Sequence, residues 1–358
     1  MKISEYIYDL PQSSIAKYPP KGRGTTKLLV VNRTNNKLVD AKYSEIPKYI
    51  NKGDVIVLNE TKVEKRRTYF QNEKGRNIEV LFLNKENNDN NRNEVENVEN
   101  QKWYCLVKGA RHVKLEDILT SIENPEIKIQ VLERKGDGFI VTILNTDTEK
   151  IKGEDIFEKI GHTPIPPYMR REDTKEDYQR YNTVFAHLKG SVAAPTASLN
   201  LTDEILAEIE KKGVRKAFIE LQIGWGTFSP IREENIKDHK IHKEMISVSK
   251  ETAEIVNEAK KNGGKIWAFG TTVARTLESI ADRDGYISEY TGDTELYIYP
   301  SYKWKCVDHL ITNFHMPDST LMLLVSSFGG KDLIKKAYNH ALENDYKFLS
   351  YGDSMVII

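Results

Sequence analysis

The residues best suited to chemistry gather in a few polar loops. The longest runs from Gly190 to Thr202 and reads Gly-Ser-Val-Ala-Ala-Pro-Thr-Ala-Ser-Leu-Asn-Leu-Thr. Small side chains let a ligand approach the main chain, short hydroxyls supply hydrogen bonds, and a following helix presents unpaired N–H groups. The segment is expected to be a binding loop, with a tight structural crossover as the alternative. Gly224-Trp225-Gly226-Thr227-Phe228, Gly270-Thr271-Thr272 and Thr312-Asn313-Phe314-His315 share its character, and each follows an apolar run. Loops at successive strand ends can build one shared site, although turn geometry also explains their glycines. The third glycine of a dinucleotide fingerprint is missing after Gly226, which excludes a nicotinamide site.

Titratable groups add to these loops. In His239-Lys-Ile-His242-Lys-Glu244, helical spacing would place both imidazoles on one face, for proton transfer, for a metal or as solvated surface. The pattern is not His-Glu-x-x-His and no third ligand motif accompanies it, so no metal is expected. His315, between Phe314 and Met316, reads either as a site residue or as a satisfied core histidine. Arg170, Arg171, Arg180, Lys189, Arg215 and Lys216 lie near the long loop in sequence and suit phosphate contacts. Tyr168, Tyr178 and Tyr181 could stack on bases or simply pack.

Composition bounds what these loops belong to. The 358 residues exceed the usual size of one hydrophobic core, and 39% hydrophobic with 30% charged residues is an ordinary globular profile. A formal net charge of +0 argues against a general nucleic-acid coat while leaving room for a local basic face. Cys105 and Cys306 are far apart and form no Cys-x-x-Cys pair, which suits a reducing compartment. No apolar run reaches signal-peptide or bilayer length, so a cytoplasmic protein without membrane contact is expected.

The elements that must position the loops divide into a split body and an insert. Leu28–Asn32 and Asp54–Leu58 read as short buried strands. Residues 61–154 instead show closely spaced strand patterns at Asn77–Leu83, Trp103–Val107, Ile127–Leu132 and Phe139–Ile143, with a Gly136-Asp137-Gly138 turn between the last two. They predict a small antiparallel β-barrel carrying a mobile asparagine-rich loop at 84–101. From residue 155 helices and strands alternate: a helix capped by Thr202, a strand at Ala217–Ile223, a helix over Lys250–Asn262 and a strand at Ile266–Phe269. The fold expected is therefore α/β: a mixed or mostly parallel sheet with helices over residues 1–60 and 155–358, plus the inserted barrel.

Taken in order, the motifs resemble one family. They are Tyr8-Asp9-Leu10-Pro11, Asn59-Glu60-Thr61-Lys62-Val63, Pro164-Ile165-Pro166-Pro167-Tyr168, Tyr181-Asn182-Thr183-Val184-Phe185-Ala186, the loop Gly190–Thr202 and Gly224–Phe228. His239–Glu244, Gly270-Thr271-Thr272 with Arg275, Asp308–His315, Ser319-Thr320-Leu321 and Ser350–Asp353 complete the series. In that order the chain resembles the S-adenosylmethionine:tRNA ribosyltransferase-isomerases of the queuosine pathway, nearly end to end.

The resemblance implies S-adenosylmethionine as co-substrate and, as partner, a tRNA carrying 7-aminomethyl-7-deazaguanine at the wobble position. It implies a monomer and no metal, because the sulfonium itself acidifies the adjacent carbon and makes methionine a leaving group. It also implies that Ser191, Ala193, Ala194, Pro195, Thr196, Gly224, Gly226 and Thr227 cradle the co-substrate, with hydrogen bonds from Asp9, Thr272, Asn313 and His315. His239, with His242, would move the proton, and Arg170 and Arg275, with Tyr168 and Tyr181, would meet RNA. Asn200 and Gln222 fall where the family usually has histidine, and Ser198 where it has glycine. Amides keep hydrogen bonding but do not titrate. A divergent relative acting on another acceptor and a non-catalytic RNA- or nucleoside-binding derivative are the other functions these residues allow.

Overall fold

The computed structural model describes residues 1–86, 101–145, 155–224 and 230–358. The chain opens with β1 (Lys27–Asn32), β2 (Lys37–Lys42), β3 (Val55–Asn59) and β4 (Thr61–Val63). Then come β5 (Arg67–Gln71), β6 (Asn77–Lys85), β7 (Lys102–Lys108), β8 (Ile118–Ser121), β9 (Ile127–Lys135) and β10 (Gly138–Asn145). Helices α1 (Asp155–Ile160) and α2 (Lys175–Arg180) precede β11 (Leu188–Ser191), α3 (Asp203–Lys211) and β12 (Arg215–Leu221). The remainder is β13 (Glu244–Val248), α4 (Lys250–Lys261), β14 (Ile266–Phe269), α5 (Thr271–Ile280), β15 (Tyr290–Thr294), β16 (His309–Asn313), α6 (Thr320–Gly329), α7 (Lys331–Glu343) and β17 (Ser354–Ile357).

Nine strands form one mixed sheet in the order β15-β13-β12-β3-β14-β16-β17-β1-β2. Its centre, β12-β3-β14-β16, is parallel, and β17 returns antiparallel beside β16. Period-two side-chain alternation sends successive apolar residues to opposite faces. Leu29, Val31, Val55, Val57, Ile266 and Ala268 pack with α4, α5, α6 and α7. Leu28, Val30, Ile56, Leu58, Trp267 and Phe269 pack with Ile205, Leu206 and Ile209 of α3 on the other face. Burial on both faces is why these strands read as unbroken apolar runs. The edge strand β2 went unread because its sequence, Lys-Leu-Val-Asp-Ala-Lys, is charged and largely exposed.

Strands β10-β7-β6-β5-β8-β9 close into an antiparallel barrel. The fold is thus the α/β architecture with an inserted small barrel that the sequence predicts. Its interior is apolar: Phe70, Ile78, Val80, Phe82, Trp103, Ile129, Val131 and Val141 fill it.

The chain forms two compact units, one of residues Met1–Lys62, Pro166–Glu172 and Gln179–Ile358, the other of Val63–Ile165 and Asp173–Tyr178. The barrel unit takes in α1 because Ile156, Phe157 and Ile160 pack into the barrel core. Within it His162 bonds Asp173 at 2.9 Å and Glu123 at 3.1 Å, and these carboxylates raise its pKa. Asn84 and Lys85 of the asparagine-rich segment belong to β6, while residues 87–100 lie outside the described residues. Among the described residues no helix is long and apolar enough to cross a membrane.

Candidate active site

A cavity of about 300 Å³ opens at the carboxyl ends of β14 and β16 in the α/β unit. The long loop forms one wall through Ala194, Pro195, Thr196 and Ala197. It is held from several sides. Ser191 Oγ donates to the Ala193 carbonyl at 2.6 Å and accepts from Ile223 N–H at 3.2 Å, which ties the loop to the end of β12. Tyr43 donates to the Ala197 carbonyl at 2.9 Å, and Ser198, fully buried, reaches the Phe269 carbonyl at 3.4 Å. Thr196 Oγ1 donates to Asn313 Oδ1 at 2.8 Å, and the Asn313 amide donates to the Asp353 carbonyl, so both faces of that side chain are fixed.

Helix N-termini close the cavity. Gly270 caps α5 at φ +112°, a backbone that favours glycine, and no side chain caps the helix. The first N–H groups of α5 have no intrahelical partner, and Thr271 and Thr272 line the cavity. Thr272 Oγ1 is buried without a hydrogen-bond partner among the described residues. Ser319 and Leu321, at the start of α6, line another side. Tyr168 and Ser350 share a 2.5 Å hydroxyl contact at the rim, and burial pushes the tyrosine up to about 12.

His315 lines the cavity but is only 8% exposed. Its ring nitrogens contact the Thr312 hydroxyl at 3.2 Å and the Tyr338 hydroxyl at 3.4 Å, and Tyr8 donates to its carbonyl. Burial pushes its pKa down to about 3, so the imidazole is neutral at physiological pH. It is a hydrogen-bonding group there rather than a charged acid.

The other histidines sit elsewhere. The stretch from His239 to Lys243 is not helical, and His239 itself is extended at φ −68° and ψ 130°, so the shared helical face does not form. His239 Nδ1 lies 2.9 Å from Glu233, and its ring meets Tyr297 edge-on. It opens on a narrow crevice of about 30 Å³, whose walls Thr271, Thr272 and Leu321 also line the main cavity. His242 lines the same crevice with an exposed side chain. No group of three or more His, Cys, Asp or Glu among the described residues converges on a metal position.

Several expected site residues have structural partners instead. Arg275 is engaged by Glu244 and by the carbonyls of Leu296, His242 and Thr294, so four of its five N–H donors are held inside the protein. Tyr181 is fully buried against Tyr351 and has no face for a base. Gln222 Nε2 donates to Glu220 at 2.8 Å and would lie 3.0 Å from a Cβ at Gly190, whose φ is +133°. Asn200 is buried, and its amide faces the Gly352 carbonyl at 3.5 Å. Neither amide lines the cavity. Ala193 is core, Asp9 and Arg170 are exposed outside the lining, and the Gly224 N–H donates to Glu244 at 3.3 Å. Gly226 and Thr227 lie outside the described residues.

One lining residue carried no sequence signal. Asp318 sits between Pro317 and the cap of α6, and only the return of that loop to the cavity reveals it. Among the described lining residues it is the one carboxylate, and there is no lysine or arginine.

An α/β sheet holding a small-molecule cavity at the carboxyl ends of its parallel strands, under helix N-termini, is the architecture of a ligand-binding enzyme. The chain belongs to the queuosine biosynthesis protein family, which matches residues 3–357. It is 41% identical over 359 residues to the S-adenosylmethionine:tRNA ribosyltransferase-isomerase of Thermoanaerobacter sp. (strain X514), covering 100% of both chains. The enzyme of that name from Chlorobaculum parvum is 41% identical over 360 residues, again with 100% of both covered. The crystal structure of the S-adenosylmethionine tRNA ribosyltransferase from Thermotoga maritima is similar at 32% identity and a TM-score of 0.54, covering 99% of this chain and 100% of that one.

Proposed function

We infer that the chain transfers the ribosyl part of S-adenosylmethionine to 7-aminomethyl-7-deazaguanine at the tRNA wobble position and isomerises it to epoxyqueuosine, releasing adenine and methionine. The observation that carries this reading is the cavity lining, which among the described residues combines apolar walls, hydroxyls, the fixed amide of Asn313, free helix N–H groups and a single carboxylate. A sulfonium with an adjacent ammonium is cationic and suits Asp318. The amino-acid carboxylate suits the N-terminus of α5. Thr196, Asn313 and Thr272 direct hydrogen bonds at the nucleoside, and Ala194 and Pro195 pack against it.

The sulfonium draws electrons from the neighbouring carbon, so the protein supplies a base, orientation and exclusion of water. His239 is the base in this reading, held at Nδ1 by Glu233 and with no hydrogen-bond partner at Nε2 among the described residues. Exposed Arg170, close in sequence to Tyr168 at the rim, contacts RNA phosphate. The enzyme works as a cytoplasmic monomer.

The test is incubation with S-adenosylmethionine and tRNA bearing the aminomethyl-deazaguanine, followed by adenine release and the mass of the digested nucleoside. Adenine with epoxyqueuosine supports the reading. Turnover without tRNA modification, or binding without turnover, sinks it.

A further inference from the structure

The outer surface of the barrel carries a basic cluster that the cavity chemistry does not use. Two turns build it, Asn72–Arg76 between β5 and β6 and Lys108–Lys114 after β7. Across these stretches Lys74, Arg76, Lys108, Arg111 and Lys114 face solvent, against Glu73 alone. The turns are locked together by one side chain. Asn72 Oδ1 accepts from the N–H groups of Lys74 and Arg76, each at 3.1 Å, while its amide donates to the His112 carbonyl at 3.1 Å. Gly75 at φ +70° and Gly109 at φ +93° let the two turns close.

Arg76 and Arg111 converge on one imidazole. Arg76 Nη1 lies 2.8 Å from His112 Nδ1, and Arg111 Nε lies 3.0 Å from His112 Nε2. A neutral imidazole has one acceptor nitrogen, so it can satisfy only one of these donors. Neither guanidinium has a carboxylate partner among the described residues, although Lys108 nearby is paired with Glu79 at 3.6 Å. Desolvation and then the two arginines hold the His112 pKa below its ordinary value, so protonation would only add a third positive charge. Two cations are thus fixed side by side with donors to spare, an arrangement that an oxyanion between them would relieve.

We propose that Arg76 and Arg111, with Lys74 and Lys114 beside them, form a docking site for RNA backbone phosphates on the barrel. The occupant is a phosphodiester of the tRNA, and the proposal rests on the tRNA-modifying reading. Backbone phosphates position the substrate without reading its sequence, a task suited to a rigid basic surface.

The test measures binding of the full chain to unmodified tRNA across a salt series, for the wild type, R76Q/R111Q and R76K/R111K. The glutamine pair should weaken binding about tenfold and flatten the slope of log K against log salt by roughly 1.5, the value for two lost phosphate contacts. The lysine pair should keep most of both. In turnover, the glutamine pair should raise KM for tRNA and leave kcat unchanged. Wild-type affinity and slope in a folded R76Q/R111Q protein would overturn the proposal. An equal loss in R76K/R111K would do the same, because it would mark packing on His112 rather than charge. Because binding is read on unmodified tRNA, a wild type that binds but releases no adenine sinks the catalytic reading and leaves the docking result standing.

Discussion

The α/β unit and the barrel differ in where their polar groups gather. The sheet is buried on both faces, and several of the polar groups it encloses are paired, Arg275 with Glu244, Thr196 with Asn313 and Trp267 with Asp54 at 2.9 Å, while Thr272 Oγ1 has no partner among the described residues. The barrel buries an apolar interior, keeps Arg67 buried beside Glu79 at 3.2 Å, and carries Arg76, Arg111 and their neighbours on exposed turns. Buried polar groups cost free energy unless each finds a partner, so a fold keeps them where geometry must be exact for a ligand. An outward charge costs little and suits a large, wet partner. The contrast sets a unit that encloses a cavity of small-molecule size against one that carries a basic outer surface.

The sharpest way to break this contrast is to unpair a matched set. Arg275→Met leaves Glu244 buried and uncompensated, and should cost about 3–5 kcal/mol in urea unfolding. Its tRNA salt slope should stay at the wild-type value, since the Arg275 side chain is only 11% exposed and four of its five donors are held by Glu244 and three carbonyls. A flattened slope would return Arg275 to the RNA surface.

Asp318→Asn keeps size and removes the cavity's charge. It should lower kcat/KM for S-adenosylmethionine by roughly 100-fold with the melting temperature nearly unchanged, the scale of one preorganised electrostatic contact. Steady-state adenine release reads it, and wild-type kinetics would remove Asp318 from the site.

His315 sharpens the comparison through pH. The unfolded chain binds a proton near pH 6.5, whereas folded His315 does so only near 3. The unfolded state therefore holds more protons between these values, and this contribution to stability is complete above 6.5 and is lost as pH falls towards 3. Each pH unit in that window costs up to about 1.4 kcal/mol. His315→Asn should give a shallower fall in melting temperature on acidification.

The smallest effect is expected in the barrel interior. Ile129→Val trims one methylene from an apolar core and should cost about 1 kcal/mol by thermal unfolding, with adenine release and tRNA affinity unchanged.

Much of the architecture was legible in the sequence. Short apolar runs such as Leu28–Asn32 and Ile266–Phe269 are strands buried on both faces of the sheet, and the strands flanking Gly136-Asp137-Gly138 pair as a hairpin. Thr202 caps α3 by accepting from the Ile205 N–H at 3.2 Å, as its hydroxyl before two acids predicts. Most of the loops flagged for their small and polar residues do line one cavity. Strands without an apolar run were invisible: β2 is charged and largely exposed at the sheet edge, and β13 alternates buried and half-buried residues.

Individual site residues were less legible, because a residue type does not reveal its partners. Arg275 and Arg170 look alike in sequence, yet one is saturated by carbonyls and a carboxylate while the other faces solvent. By itself the sequence determined the family, the α/β body with its barrel and the loops that carry function, since these follow from periodicity, turn chemistry and ordered motifs. Only the tertiary structure decided that His239 and His242 share no helical face, that Asn200 and Gln222 stand outside the cavity, and that Asp318 faces into it. Those outcomes depend on which distant backbone groups compete for each side chain, and that competition is settled only when the chain has folded.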